Sequence, residues 1–95
     1  MRQRRVTWSV YILRCADRSL YTGISTDVET RVKRHNAGQG AAYTRSHRPV
    51  LLVWTEEAKS ESDARKREAE IKRWTKTDKE LFLTSRKKHF RRKSL

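Results

Sequence analysis

Cysteine is almost absent from this chain. Cys15 stands alone, which excludes an intramolecular disulfide framework and any metal site built from several thiolates. No apolar run approaches the length of a bilayer span, and Met1-Arg2-Gln3-Arg4-Arg5 contains no apolar signal core. No membrane association and a cytoplasmic location are therefore expected. Apolar residues make up only 35% of the 95 residues, and the mean hydropathy is −1.00. That allows one small domain with a modest core and leaves no room for a second. Glycine does not recur after Gly40, nor asparagine after Asn36. There is no internal repeat and no separate DNA-reading motif such as a zinc finger.

Acidic residues are outnumbered 11 to 24 by lysine and arginine, for a net charge of +13. Arg2, Arg4 and Arg5 crowd the start, and Arg86, Lys87, Lys88, Arg91, Arg92 and Lys93 crowd the end. Without those nine, residues 6–85 carry only +4. The expected organisation is a single domain over 1–95, with a core at about 6–84 and a mobile basic tail at about 86–95. Basic arms of this kind attract a polyanion through salt-dependent contacts that ignore sequence, so nucleic acid is the expected partner. Any specificity must come from the loop 38–49, from the tails or from a partner protein.

What is present is a strand pattern around two tyrosines. Trp8, Val10 and Ile12 alternate with Ser9, Tyr11 and Leu13, and Leu20, Thr22 and Ile24 alternate with Tyr21 and Gly23. Period-two alternation predicts half-buried strands, and the short polar Cys15–Ser19 link predicts a β-hairpin. In the simplest register both tyrosines share a face, with Gly23 clearing backbone space beside them. Cys15 reads as an inert strand-end residue. Thr26-Asp27-Val28-Glu29 has the form of a capping box with Thr26 as the cap, starting a helix that should stop near Asn36-Ala37-Gly38. Its sheet-facing stripe is Val28, Arg31, Val32 and His35, only half apolar. Residues 38–49 read as an irregular basic loop with one aromatic, Tyr43. The run Val50–Thr55 lacks alternation, which predicts a strand buried on both faces in the middle of the sheet. Ser60 opens a helix running to Trp74, with Ala64, Arg67, Glu68, Ile71 and Trp74 inward. Thr77 opens a short last helix whose Leu81, Phe82 and Leu83 close the core. The order of elements is β-β-α-β-α-α, which makes the fold class α+β.

The unusual polar groups, Tyr11, Tyr21, Arg31, His35 and Glu68, each face the packed side of their own element, and all are expected to aim at one side of the hairpin. Phosphodiester chemistry is available to that set. Glu68 could supply an oxygen to a divalent cation, with water and phosphate completing its shell. Such a cation polarises the phosphoryl oxygen and stabilises the leaving oxyanion. Arg31 could hold a phosphate oxygen as charge grows on it. A tyrosine could accept or relay the proton of the attacking water, provided a nearby cation lowers its ordinary pKa of about 10. The bland alternatives are tyrosines that pack on a helix, an arginine whose head reaches water, a packing histidine and a Glu68 paired with Arg65 or Lys72.

The ordered set resembles the GIY-YIG nuclease superfamily. Ser9-Val10-Tyr11 stands for the first signature tripeptide and Tyr21-Thr22-Gly23 for the second; Arg31, His35 and Glu68 follow in their expected helices. The likeness runs from about residue 7 to residue 83. The short length, T-R-S-H-R-P before the third strand and I-K-R-W after the glutamate are similar to the small stand-alone bacterial branch. That branch is itself similar to the N-terminal nuclease domain of the excinuclease. The resemblance implies a three-stranded antiparallel sheet flanked by helices, and hydrolysis of nucleic-acid phosphodiester bonds, DNA being favoured, in repair, recombination or turnover. It implies one Mg²⁺ or Mn²⁺ on Glu68. Tyr11 or Tyr21 would be the base or its relay, Arg31 the transition-state stabiliser, His35 an orienting or proton-sharing group and Gly23 a structural glycine. Tyr43, Arg45, Arg48, Lys72 and Lys76 are the candidate substrate contacts. Ser9 replaces the first signature glycine, and the asparagine that many relatives carry after the glutamate helix has no counterpart, Lys76 being the nearest polar candidate. The alternative is a module on the same fold that binds DNA or RNA without cutting it.

Overall fold

A computed structural model describes residues 6–93, with side chains described through residue 85. The expected mobile tail at 86–95 therefore falls on side chains, and at 94–95 on backbone, outside the described residues. The elements are β1 (Trp8–Arg14), β2 (Leu20–Ser25), α1 (Val28–Asn36), a one-turn α2 (Ala42–Arg45), β3 (Leu51–Ala58), α3 (Glu61–Lys72) and α4 (Lys76–Lys93). The three strands form one antiparallel sheet in the order β2-β1-β3.

The hairpin link is tightened by Asp17, whose Oδ1 accepts from the backbone N–H of Ser19 at 3.0 Å and from its hydroxyl at 2.6 Å. β1 pairs with β2 in the register Tyr11 opposite Gly23 and Leu13 opposite Tyr21. Because β1 is the middle strand, it is covered on both sides rather than half-buried. The alternation of its sequence sorts side chains between two packed layers instead of between core and water. Val10 and Ile12 meet Trp54, Ala64, Ile71 and Leu83 on one face. Tyr11 and Leu13 meet Cys15 and Val50 on the other, with Tyr21, Val28 and Val32 alongside. Burial pushes the Cys15 thiol pKa up, consistent with an inert position.

β3, expected in the centre, is instead an edge strand. Leu51, Leu52 and Val53 are 67%, 43% and 38% exposed. Ile12 pairs with Trp54 while Leu13 pairs with Leu52, so Val53 is the extra residue of a bulge. Hydrophobicity of the run cannot distinguish an edge from a centre; the neighbouring strands decide that.

Helix starts differ from the reading by one or two residues at α1 and α4. Asp27, not Thr26, caps α1, because its two carboxylate oxygens reach the Thr30 N–H at 3.2 Å and the Thr30 hydroxyl at 2.8 Å. Gly38 closes that helix at φ +82°, a conformation that favours glycine. Ser60 caps α3 as expected, through the Asp63 N–H at 3.1 Å, but α3 ends at Lys72 rather than Trp74. Thr75 rather than Thr77 caps α4: its hydroxyl accepts from Asp78 N–H at 3.0 Å and Asp78 Oδ2 from Thr75 N–H at 3.4 Å. α4 is a long helix, with Leu83 buried, Phe82 partly buried and Leu81 exposed. The irregular loop contains the α2 turn, anchored by Asn36. The Asn36 amide takes both backbone groups of Val50, at 3.0 and 2.7 Å, and so ties the end of α1 to the start of β3.

Candidate active site

The α1 face of the sheet carries the polar residues. Tyr11 projects from the central strand over Gly23, and a Cβ at Gly23 would come within 2.6 Å of its hydroxyl. Only glycine leaves that phenol in place. Tyr21 lies diagonal to it on β2, two residues before Gly23, with ring centroids 6.5 Å apart. His35, fully buried on the last turn of α1, meets Tyr21 edge-on at 5.3 Å and Tyr11 at 6.1 Å. Its Nε2 is 3.0 Å from the Tyr11 hydroxyl, and its Nδ1 is 2.6 Å from Thr44 Oγ1. A Cβ on Gly40 would overlap the imidazole, so the loop's second glycine makes room for the ring.

Burial is the main influence on the Tyr11 phenol and raises its pKa; the Arg31 guanidinium at its hydroxyl pulls it down, while Tyr21 and the Glu68 carboxylate push it up. Residues from β1, β2, α1 and α3 thus act on one hydroxyl. For His35, burial first and the Arg31 charge second lower the pKa, so the imidazole is neutral near pH 7.

The helices that carry these groups approach the sheet from different sides. α1 and α3 lie on opposite faces, since Ala64 and Ile71 of α3 pack with Val10 and Ile12. Glu68 comes to Tyr11 from the α3 side, its side chain 19% exposed and its Oε2 3.1 Å from Lys72 Nζ. Of the alternatives read from the sequence, the helix-face pair with Lys72 is present, and the Glu68 charge also acts on the buried Tyr11 hydroxyl.

The candidate substrate contacts divide. Tyr43 joins the aromatic group, stacked between Tyr21 at 6.3 Å and His47 at 4.2 Å, with its hydroxyl donating to Ser19 Oγ at 2.6 Å. Arg45 and Arg48 sit with Asn36, Ser46 and Pro49 around a separate open depression. Arg48 is braced there by the carbonyls of Arg45 and Asn36 at 3.1 and 3.4 Å. Lys72 holds Glu68. Lys76 pairs with Glu80 at 2.8 Å, and Glu80 also takes Arg14 through both oxygens at 2.8 Å. No described contact joins Lys76 to the tyrosines. Sequence reasoning passed over Thr44, a fully buried hydroxyl; its only signal was a threonine beside Tyr43 in an otherwise basic loop.

Among the described residues no group of three or more His, Cys, Asp or Glu side chains could hold a metal ion. A single carboxylate still suits Mg²⁺, which keeps several waters and takes the remaining oxygens from substrate phosphate. Glu68 would be the carboxylate available to such an ion, since its i,i+4 pair with Lys72 is of a kind worth only about 0.3–0.5 kcal/mol. No helix among the described residues is long and apolar enough to cross a membrane.

Comparison with known proteins gives concordant results. Residues 7–81 match the family described as the GIY-YIG catalytic domain. A UPF0213 protein of Staphylococcus haemolyticus is 49% identical over 77 residues, covering 81% of this chain and 94% of the relative. One from Desulfotalea psychrophila is 46% identical, covering 90% and 79%. The solution structure of a UPF0213 protein from Bacillus halodurans is similar with a TM-score of 0.54 at 42% identity, covering 82% of this chain and 83% of that one. The solution structure of a protein from E. faecalis has a TM-score of 0.58 at 38% identity, covering 90% of each.

Proposed function

The chain belongs to the GIY-YIG domain family, among the small stand-alone UPF0213 proteins, and from that premise we propose that it is a cytoplasmic, metal-dependent endonuclease that hydrolyses DNA phosphodiester bonds. The observation that carries the reading is the convergence on the Tyr11 hydroxyl of His35, Arg31, Tyr21 and the Glu68 charge. Packing alone has no use for a cation, a carboxylate and an imidazole around one buried phenol, because each costs desolvation.

In this reading the Arg31 guanidinium binds a non-bridging phosphate oxygen and offsets the charge that grows there. Glu68 would hold one Mg²⁺ or Mn²⁺, which when bound supplies Lewis-acid stabilisation of the phosphoryl and leaving oxygens. Tyr11 accepts the proton of the attacking water. Burial works against a free phenolate at Tyr11, so the proton must be relayed inward as it arrives, and His35 is the neighbour placed to take it. Tyr21, only partly buried, walls the site toward Tyr43. With a cation on Glu68, Lys72 would be free to meet the substrate backbone. Tyr43, Arg45 and Arg48 extend the basic surface beyond the site.

The test is cleavage of DNA and RNA with Mg²⁺ or Mn²⁺, with chelator, and with Glu68→Ala. Metal-dependent cleavage of DNA that is lost with the variant is expected; cleavage indifferent to both chelator and variant overturns the reading. A second reading, a nucleic-acid-binding module that does not cut, is favoured by one observation: the Glu68 carboxylate is already engaged by Lys72. It prevails if the chain binds DNA or RNA tightly and cuts neither under any metal.

A further inference from the structure

His35, Thr44 and Tyr11 form a buried chain of hydrogen bonds whose direction can be worked out by counting hydrogens. Tyr11 Oη is 3.0 Å from His35 Nε2, His35 Nδ1 is 2.6 Å from Thr44 Oγ1, and Thr44 Oγ1 is 3.0 Å from the Ala41 carbonyl. Tyr11, His35 and Thr44 are all buried to within 1%. The neutral imidazole has one N–H and one lone pair. If the hydrogen is on Nδ1, it goes to Thr44 Oγ1, the Thr44 hydroxyl donates to Ala41 O, and the Tyr11 hydroxyl donates to Nε2. Three donors meet three acceptors. If the hydrogen is on Nε2, it goes to Tyr11 Oη and the Thr44 hydroxyl turns to Nδ1. The Tyr11 hydrogen is then left without one of these acceptors. It would have to point toward Arg31, a group with donors only, which lies at the same hydroxyl. Leaving a buried donor unsatisfied costs the desolvation of that group with nothing to offset it, which selects the first arrangement. The Ala41 carbonyl does not decide the matter, since it also accepts from Arg45 N–H at 3.0 Å.

We infer that Thr44 is a positioning residue: by accepting from Nδ1–H and passing its own hydrogen to Ala41, it holds His35 in the tautomer whose Nε2 lone pair accepts from Tyr11. The consequence lies at the substrate side of Tyr11. With its hydrogen directed inward to Nε2, the phenol oxygen presents lone pairs outward and acts as a proton acceptor. In the opposite tautomer it would present its hydrogen and act as a donor, which cannot activate water. The inference rests on the reading of this site as hydrolytic. In that step water loses a proton to Tyr11 Oη as the Tyr11 proton moves to Nε2. The water oxygen forms the new P–O bond, the ester oxygen leaves with its electron pair, and the extra proton on the imidazolium returns through solvent to that oxygen. α2, a single turn that the sequence presents as plain loop, therefore exists in part to bring a hydroxyl under the histidine. Gly40 is small for the same reason, since a side chain there would displace the ring.

The experiment is nitrogen NMR of the histidine rings in the full chain, with His35 assigned, beside Thr44→Ser and Thr44→Val. Wild type and Thr44→Ser are expected to show a protonated Nδ1 and a pyridine-like Nε2. In Thr44→Val the Nε2–H form should appear, because the methyl group cannot accept. A wild-type His35 protonated at Nε2 overturns the inference whether or not any variant folds, as does an unchanged ring in a folded Thr44→Val. Because this readout needs no turnover, it stands apart from whether the protein cleaves DNA. Where cleavage is measured, Thr44→Val should lower kcat about 10–100-fold, the usual effect of losing a group that orients a functional histidine. KM should be unchanged and Thr44→Ser close to wild type; equal kcat in wild type and Thr44→Val would remove Thr44 from the reaction.

Discussion

The two faces of the sheet share one strand and differ in almost everything else. On the α3 side Val10 and Ile12 pack with Trp54, Ala64, Ile71 and Leu83. Phe82 meets Trp54 and Trp74 edge-on at 5.3 and 5.1 Å. Arg67 lies 5.6–5.9 Å from the three ring centroids and is neutralised by Glu56 at 2.9 Å and Glu70 at 3.0 Å. Its charge is fully spoken for, and the face reads as structural. On the α1 side the same strand contributes Tyr11, and its polar neighbours are the buried His35, the buried Thr44 beneath it and the partly buried Tyr21. Polar groups are retained there at the expense of apolar burial, in a domain too small to do so without a reason. A single strand can serve both needs because its side chains alternate.

This contrast can be broken most severely at Trp54. Trp54→Ala should cost about 3–5 kcal/mol in urea unfolding, a large share of the stability of a small domain; a loss below about 1 kcal/mol would mean that the α3 face is not the mechanical core. Glu68→Gln should behave oppositely. Cleavage should fall about 10²–10³-fold, the size seen when one transition-state charge contact is lost, while the urea midpoint moves little, as is usual for substitutions away from the core. Equal damage to fold and activity would erase the distinction. Gly23→Ala lies between them. Its Cβ would come within 2.6 Å of the Tyr11 hydroxyl, so a stability loss of about 1–3 kcal/mol from overpacking is expected, together with an altered His35 spectrum.

Acid should separate the polar face from the periphery. The His35 pKa is depressed in the folded protein by burial and by Arg31, so the unfolded chain takes up that proton first. The stability it contributes is complete above an ordinary histidine pKa of about 6.5. It is lost as pH falls through the folded value. Glu80 is lowered to about 2, first by Arg14 and then by Lys76. Its contribution is present above about pH 4.3 and lost as pH falls through about 2. About a third of each side chain in the Arg14–Glu80 fork is exposed, which limits the pair to about 1 kcal/mol. Urea midpoints against pH should thus decline in two separate ranges, and Glu80→Gln should remove only the lower one. The smallest effect belongs to Ser60→Ala, which removes the α3 cap at a cost of about 1 kcal/mol without touching cleavage.

The hairpin, its tyrosines and Gly23 were legible because a strand's period of two is written directly in side-chain type. The α3 cap was legible because Ser60 reaches only local backbone. The edge position of β3 was not legible, since Leu51, Leu52 and Val53 look the same with one neighbouring strand or two. The α1 cap was misplaced because Thr26 and Asp27 both have capping chemistry, and only backbone direction selects between them.

By itself, then, the sequence determined which residue types could meet: a β-hairpin with two tyrosines, an arginine and a histidine one turn apart, and a carboxylate in a later helix. Those are local facts of spacing, and family membership follows from their order. Only the tertiary structure decided that α1 and α3 take opposite faces, that Lys72 holds Glu68, and that Thr44 lies under His35. Each depends on contacts between residues distant in the chain. The direction of the proton in the Tyr11–His35–Thr44 chain follows from where those distant groups are buried together, which no periodicity records.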